Sequence, residues 1–371
     1  MKFIRNFSRL LVGLVFIFSG TVKGVDPFGT AYRIEDYFIA YGVEWAIPLT
    51  LFFSVFLCTL EFILGISLIF NAGIKRSSWI LLPLIIFFTI LTMVDAIWEP
   101  VSDCGCFGDA IKLTNWETFY KNIVLIIFIS IIFFWRRKFH PPPTFGYSYF
   151  ILAVFLIGFV WFSNFNLNHL SMVDFREWKV GNDMAPEGGG EAKFYLVYKN
   201  KETGEEKEYF SKDLPWQDSL WMAQWEFVDQ RIDDSEVLKS HDLIIESADG
   251  EDQTDIFIDN PDFQFLVIAY DLERTDRDAF EKIKSLFSEA DADGISMIVI
   301  TSSLPETVNN FREDLLLDDH LEFYYGDDTV LKAMVRANPG LMLLNAGIVL
   351  GKWHYNDLPA YQDVKVEFMN D

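Results

Sequence analysis

The chain has 371 residues, 51% hydrophobic and 17% aromatic, yet Asp and Glu outnumber Lys and Arg by 54 to 30. Cutting it near residue 163 resolves the conflict: residues 1–163 carry 12 basic and 10 acidic side chains, residues 164–371 carry 18 and 44. An apolar, nearly neutral half precedes an acidic, water-soluble one. The acidity excludes a nucleic-acid binder, which needs cations against phosphates, and argues against docking on anionic headgroups. The apolar content and only three cysteines exclude collagen-like, disordered and disulfide-dense classes.

Five apolar runs, near 6–24, 46–71, 78–98, 118–135 and 146–163, reach the roughly 20 residues a bilayer crossing takes. The first follows Lys2, Arg5 and Arg9 as a signal peptide would, but no small-x-small cleavage site follows it, so a retained helix is expected. Lys75 and Arg76, then Arg136, Arg137 and Lys138, fall on the same side as the N-terminus if every run spans. Short-loop cations mark the cytoplasmic side, which places residues 164–371 and the third loop outside.

That third loop reads Val101-Ser-Asp-Cys-Gly-Cys-Phe-Gly-Asp109. A disulfide between Cys104 and Cys106 closes a very small ring, strained and easily reduced, as suits a redox-active pair. Asp103 and Asp109 flank the pair and oppose thiolate formation. The alternatives are a loop-shaping disulfide or two free thiols; a metal site needs more ligands than this loop supplies. Cys58, inside the second run, reads as a packing residue. Glu61 is a functional candidate, because a carboxyl inside a membrane is costly; alone there it is expected to be protonated and bonded to a neighbouring helix. Asp95 stands near the outer end of the third run, and Gly65 permits close helix approach.

Arg9-Leu-Leu-Val-Gly-Leu-Val-Phe-Ile-Phe-Ser-Gly20, Lys23, Asp26-Pro-Phe-Gly29 and Glu61-Phe-Ile-Leu-Gly65 resemble DoxX-type bacterial membrane proteins. Cys104-Gly-Cys-Phe-Gly-Asp109 with Trp116 and Lys121-Asn122 resembles the related MauE proteins of methylamine utilisation. The resemblance covers roughly residues 5–135. It implies a four-helix bundle related in design to membrane thiol oxidoreductases of the bacterial cytoplasmic membrane, and a role in disulfide formation or maturation of an exported partner. Quinone is the electron acceptor it brings into consideration; no other cofactor is evident.

Beyond the fifth run, residues 181–192 read as linker, and Phe194–Tyr198 with Lys207–Phe210 as a hairpin around Gly204. Trp216, Trp221 and Trp225 are spaced as if near one face of a helix. Strands at Phe265–Tyr270, Ile295–Ile300 and Phe323–Tyr325 alternate with helices at Arg277–Ala290, Glu306–Leu316 and Thr329–Ala337. A hairpin, Leu341–Leu344 and Ile348–Trp353, then turns at Asn345-Ala-Gly347, and a last helix starts near Leu358. Asn338-Pro339-Gly340 before that hairpin resembles the cis-proline turn of the thioredoxin fold, which makes Pro339 a candidate binding residue. The family's Cys-x-x-Cys would fall near Asp271-Leu-Glu-Arg274, where there is no cysteine, so a redox-inactive binding module is expected.

The fold class expected is therefore a membrane α-helical bundle followed by a soluble α/β, thioredoxin-like domain. The divisions are a bundle at 1–140, a fifth membrane helix at 141–165, an exported linker and β/α extension at 166–262, and the thioredoxin-like domain at 263–371. Two functions compete. One is an accessory of envelope thiol–disulfide chemistry acting through Cys104 and Cys106 on an exported protein client. The other is a non-enzymatic assembly subunit of a membrane complex.

Overall fold

The computed structural model describes residues 2–101, 104–139, 145–185, 193–201, 203–210, 221, 224–233 and 241–369. Among them, five helices are long and apolar enough to cross a membrane: α1 (Lys2–Val25), α3 (Thr50–Ile69, after a 3-10 turn at Glu44–Leu49), α4 (Ile74–Trp98), α5 (Asn115–Phe134) and α6 (Phe145–Asn168). Between the first two lies α2 (Pro27–Ala40), a helix that no apolar run announced. It starts where Asp26 caps it, accepting from the Gly29 amide at 2.9 Å, with Pro27 at the first helical position. A capping box starts α5: the Thr114 side chain accepts from the Glu117 amide, and Glu117 accepts from the Thr114 amide.

Small residues set the bundle geometry. A Cβ at Gly20 would lie 2.7 Å from the Phe62 amide nitrogen, and one at Gly65 2.7 Å from that of Ile17. Glycine at both positions lets the α1 and α3 backbones touch, which is how membrane helices gain packing without a hydrophobic driving force. α4 packs on α5, whereas α3 and α4, though consecutive, touch little. α6 leans on α3 through the stacked rings of Phe62 and Phe159, 4.3 Å apart.

Outside the membrane helices lie two sheets. In the first, β1 (Lys193–Asn200) pairs antiparallel with both β2 (Glu206–Phe210) and β3 (Trp225–Asp233), in the order β2-β1-β3. The hairpin expected here is present with Tyr198 opposite Lys207. The tryptophan expectation is corrected: Trp225 opens a strand, and Trp221 stacks on it at 5.7 Å. A pleated strand beside aromatic cross-strand neighbours buries these rings as well as a helix face would. Trp216 lies outside the described residues.

The second sheet has the order β6-β5-β4-β7-β8. Its strands are β4 (Phe263–Ile268), β5 (Ser296–Thr301), β6 (Glu322–Tyr325), β7 (Gly340–Asn345) and β8 (Ile348–His354). β4, β5 and β6 run parallel, while β7 is antiparallel to β4 and β8 to β7. β4 is covered on both faces, which explains its unbroken apolar run. Phe265 and Val267 meet the helices Arg277–Ala292 and Pro305–Leu315, while Leu266 and Ile268 meet Trp178, Ile245, Leu331 and Met334. Ala346 and Gly347 both have positive φ, 46° and 81°, as the tight β7–β8 turn requires. The chain leaving α6 joins this domain: the Gly181 amide donates to Val349 O at 2.8 Å, and Lys352 Nζ reaches Asp174 at 2.7 Å.

Candidate functional site

The close approach of α1 and α3 brings Lys23 to Glu61. Lys23 Nζ donates to both carboxylate oxygens, at 2.8 and 2.9 Å, and each side chain is 7% exposed. This corrects the expectation of a solitary, protonated Glu61: the sequence holds two intramembrane charges of opposite sign, and the fold makes them one ion pair. One turn before Lys23, Ser19 Oγ lies 2.8 Å from Glu61 Oε2 and 2.9 Å from Cys106 O, so its single proton is shared between the pair and the cysteine loop.

The loop itself turns at Gly105 and Gly108, both with positive φ. Cys104 and Cys106 are free thiols with sulfurs 3.4 Å apart, and Cys104 donates its proton toward Cys106. That hydrogen bond, against the opposing effect of burial and helped by Lys121 and Lys23, lowers the Cys106 thiol below its usual range. Donation to Cys106, together with burial, raises Cys104, which keeps its proton. The expected opposition from neighbouring carboxylates is corrected at Asp109: Arg336 Nη2 of the soluble domain lies 3.6 Å from its carboxylate. Asp103 lies outside the described residues.

Asp95 is fully buried near the C-terminal end of α4, where it accepts from Tyr37 Oη at 2.6 Å. Its Oδ1 has no partner among the described residues. Cys58 is buried in α3.

A cavity of about 580 Å³ opens beside the thiols. Its walls are largely apolar, with the rings of Tyr37, Phe38, Phe53, Phe56, Phe87 and Phe88 among them, and Lys23, Glu61, Lys121, Cys104 and Cys106 share its lining. Phe53, Phe56 and Phe87 are exposed on the bundle surface, so the mouth lies between α3 and α4. A second cavity of about 530 Å³, lined by many charged residues, lies between the loop and the soluble domain; Gly105 and Asp109 line it, and neither cysteine does.

The soluble domain is latched over the loop. Arg336 Nε donates to Asp26 at 2.9 and 3.2 Å, and its guanidinium stacks 5.1 Å from the Tyr32 ring. Burial pushes Asp26 up, but Arg336 and Arg176 outweigh it and hold the carboxyl below its usual range.

Residues 1–136 match the family model of methylamine utilisation protein MauE. The MauE-like part thus ends just after α5 and contains α1 to α5, the Lys23–Glu61 pair and both loop cysteines. α6 and the soluble sheets lie beyond it. No curated protein and no solved structure matches the chain. The chain is a multi-pass membrane protein with a MauE-like membrane region.

Pro339 follows a cis bond, just before β7. Its ring, however, is buried. Asn338 donates to Asp271 O at 2.7 Å and accepts from Thr275 Oγ1 at 2.9 Å, so the segment 271–275 folds over the turn. The surface expected at Pro339 is therefore covered by the chain itself.

Sequence reasoning missed Lys121, Tyr37 and Arg336. Lys23 carried the available signal, since a cation at the end of an apolar run needs a partner and Glu61 is a carboxyl inside another such run.

Proposed function

We propose that this protein is a membrane thiol–disulfide exchange accessory for maturation of an exported client, in a role akin to methylamine utilisation. The observation that carries the reading is the placement of Cys104 and Cys106, 3.4 Å apart, in the lining of an apolar cavity shared with Lys23 and Lys121. Starting from a Cys104–Cys106 disulfide, a client thiolate forms a mixed disulfide with one cysteine, and the client's second thiolate displaces it. The client loses two electrons, and the two cysteines gain them. A strained small-ring disulfide suits such an oxidant.

The cavity fits a quinone: aromatic side chains for a flat ring, with Lys23 and Lys121 as hydrogen-bond donors. Bound there, a quinone supplies a two-electron, two-proton acceptor. The three basic clusters support a cytoplasmic N-terminus, five crossings and an extracytoplasmic soluble domain. Strand order β6-β5-β4-β7-β8 and the absence of cysteine beyond 106 support a thioredoxin-like, non-reacting client module.

The test is capture of a mixed disulfide with another envelope protein, resolved under non-reducing conditions, from single Cys104→Ser or Cys106→Ser protein. Absence of any adduct from both variants refutes the exchange reading. The second reading, a non-enzymatic assembly subunit, is favoured by the outward cleft, which neither sulfur lines. It requires the Cys104→Ser/Cys106→Ser double variant to support client maturation fully.

A further inference from the structure

The two loop thiols are not equivalent, and the asymmetry comes from the bundle. Cys106 is fixed to α1 through its carbonyl, 2.9 Å from Ser19 Oγ, and Ser19 and Lys23 both hold Glu61. The charged and titratable groups that line the cavity with it are Lys23 from α1, Arg33 and Tyr37 from α2, Tyr41 just after α2, Glu61 from α3, Lys121 from α5 and the Cys104 thiol. Glu61 is occupied by Lys23, and Tyr37 donates to Asp95. The balance of charge lining the cavity is therefore positive.

Resting on the exchange reading above, we infer that a client thiol enters at Cys104, that Cys106 departs as the thiolate, and that Lys23, held by Glu61 and Ser19, with Lys121, is its charge partner. The client thiolate attacks Cys104 Sγ, a bond forms between those sulfurs, and the Cys104–Cys106 bond breaks with its electron pair on Cys106. The second client thiolate then attacks the client's sulfur and releases Cys104. Of the two protons the client loses, one ends on Cys104, the thiol that donates to Cys106 in this structure, and one goes to solvent. Cys106 stays a thiolate among the lysines. The order follows from leaving-group chemistry, since the thiol of lower pKa departs faster, and Cys106 is the lowered member of the pair.

Two measurements on the full-length protein test this. In the first, reduced protein is alkylated with iodoacetamide across pH, and tandem mass spectrometry assigns each cysteine. Cys106 should react about tenfold faster than Cys104 at neutral pH, the advantage a larger thiolate fraction confers. Lys23→Met should raise the Cys106 midpoint by about one pH unit, and Lys23→Arg should leave it near the wild-type value. Because Lys23→Met strands a buried carboxylate, Lys23→Met/Glu61→Gln removes both charges and tests for a shift of the same sign, smaller because the opposing Glu61 charge is lost too, in a protein with no orphan ion. A merely structural Lys23 would not move the midpoint in that double variant. In the second, oxidised protein is treated with a neutral peptide carrying one cysteine, and the adduct is located. Attachment to Cys104 with Cys106 alkylatable is expected. Attachment mainly to Cys106, or a midpoint unchanged in both Lys23→Met variants, overturns the assignment. If the peptide reacts with neither sulfur, the exchange reading falls with it, whereas the alkylation series reports on the charge partnership independently.

Discussion

Replacing Arg336 by leucine should release the soluble domain from the cysteine loop. Its side chain is 10% exposed and that of Asp26 16%, with Nε–Oδ2 at 2.9 Å, so the substitution strands a largely buried carboxylate. Breaking such a pair by removing one partner costs about 3–5 kcal/mol. The Asp109 contact, at 3.6 Å with a carboxylate 29% exposed, resembles a surface pair worth up to about 1 kcal/mol. Stacking on Tyr32 adds about 1 kcal/mol. Asp26 keeps its bond to the Gly29 amide, which pulls the pair's share below that range and leaves the total at about 3 kcal/mol. About 3 kcal/mol corresponds to roughly a 150-fold change in the docking equilibrium. Hydrogen exchange of the full-length protein in detergent reads this directly. Amides in the first turns of α2 and in the helix Asp328–Met334 should exchange faster, while β4 and β5, in the centre of their sheet, stay protected. Arg336→Leu/Asp26→Asn should recover part of the protection, because no carboxylate is left unpaired at Asp26. Unchanged exchange in both segments of Arg336→Leu would show that the ion pair does not hold the domain and refute the reasoning.

Glu61→Gln should destabilise the bundle by about 3 kcal/mol by orphaning Lys23, and Lys23→Met/Glu61→Gln should be milder; chemical or thermal unfolding in detergent compares them. Gly65→Val should separate α1 from α3, since even a Cβ would meet Ile17 N at 2.7 Å and Gly13 O at 2.8 Å; loss of folded monomer on size-exclusion chromatography is the readout. Acid should weaken the soluble domain through His354, which burial lowers to about 4 from its ordinary 6.5 and whose Nδ1 accepts from the Asn356 amide. The unfolded chain binds that proton first, so this stability is present above about 6.5 and lost as pH falls toward 4. His354→Asn should flatten that part of a melting-temperature profile. A second loss, from about 3.8 down toward 2, belongs to Asp174, which burial pushes up but Arg176 and Lys352 lower to about 2.

The sequence by itself determined what depends on local pattern. Run length and composition gave five membrane helices, because each span must satisfy its own backbone bonds and face lipid. Alternating apolar runs and polar helices gave β4 to β8 with their helices to within a few residues, because each element's burial is written into its own period. The Cys-Gly-Cys loop, Glu61 and Asp95 were legible as chemically unusual residues in unusual places. Partnership was not legible. Lys23 and Glu61 are 38 residues apart, and Arg336 and Asp26 310 apart, so no local period links them. α2 has no apolar run long enough to signal a span, and its place is set by a cap and by the helices it packs on. Trp225 went to a strand because its neighbours in β1 and β2 offered a better surface than its own helical face. The tertiary structure alone decided which carboxylate is neutralised, which thiol is lowered and which proline is covered, because charge, burial and access are properties of what surrounds a residue rather than of the residue.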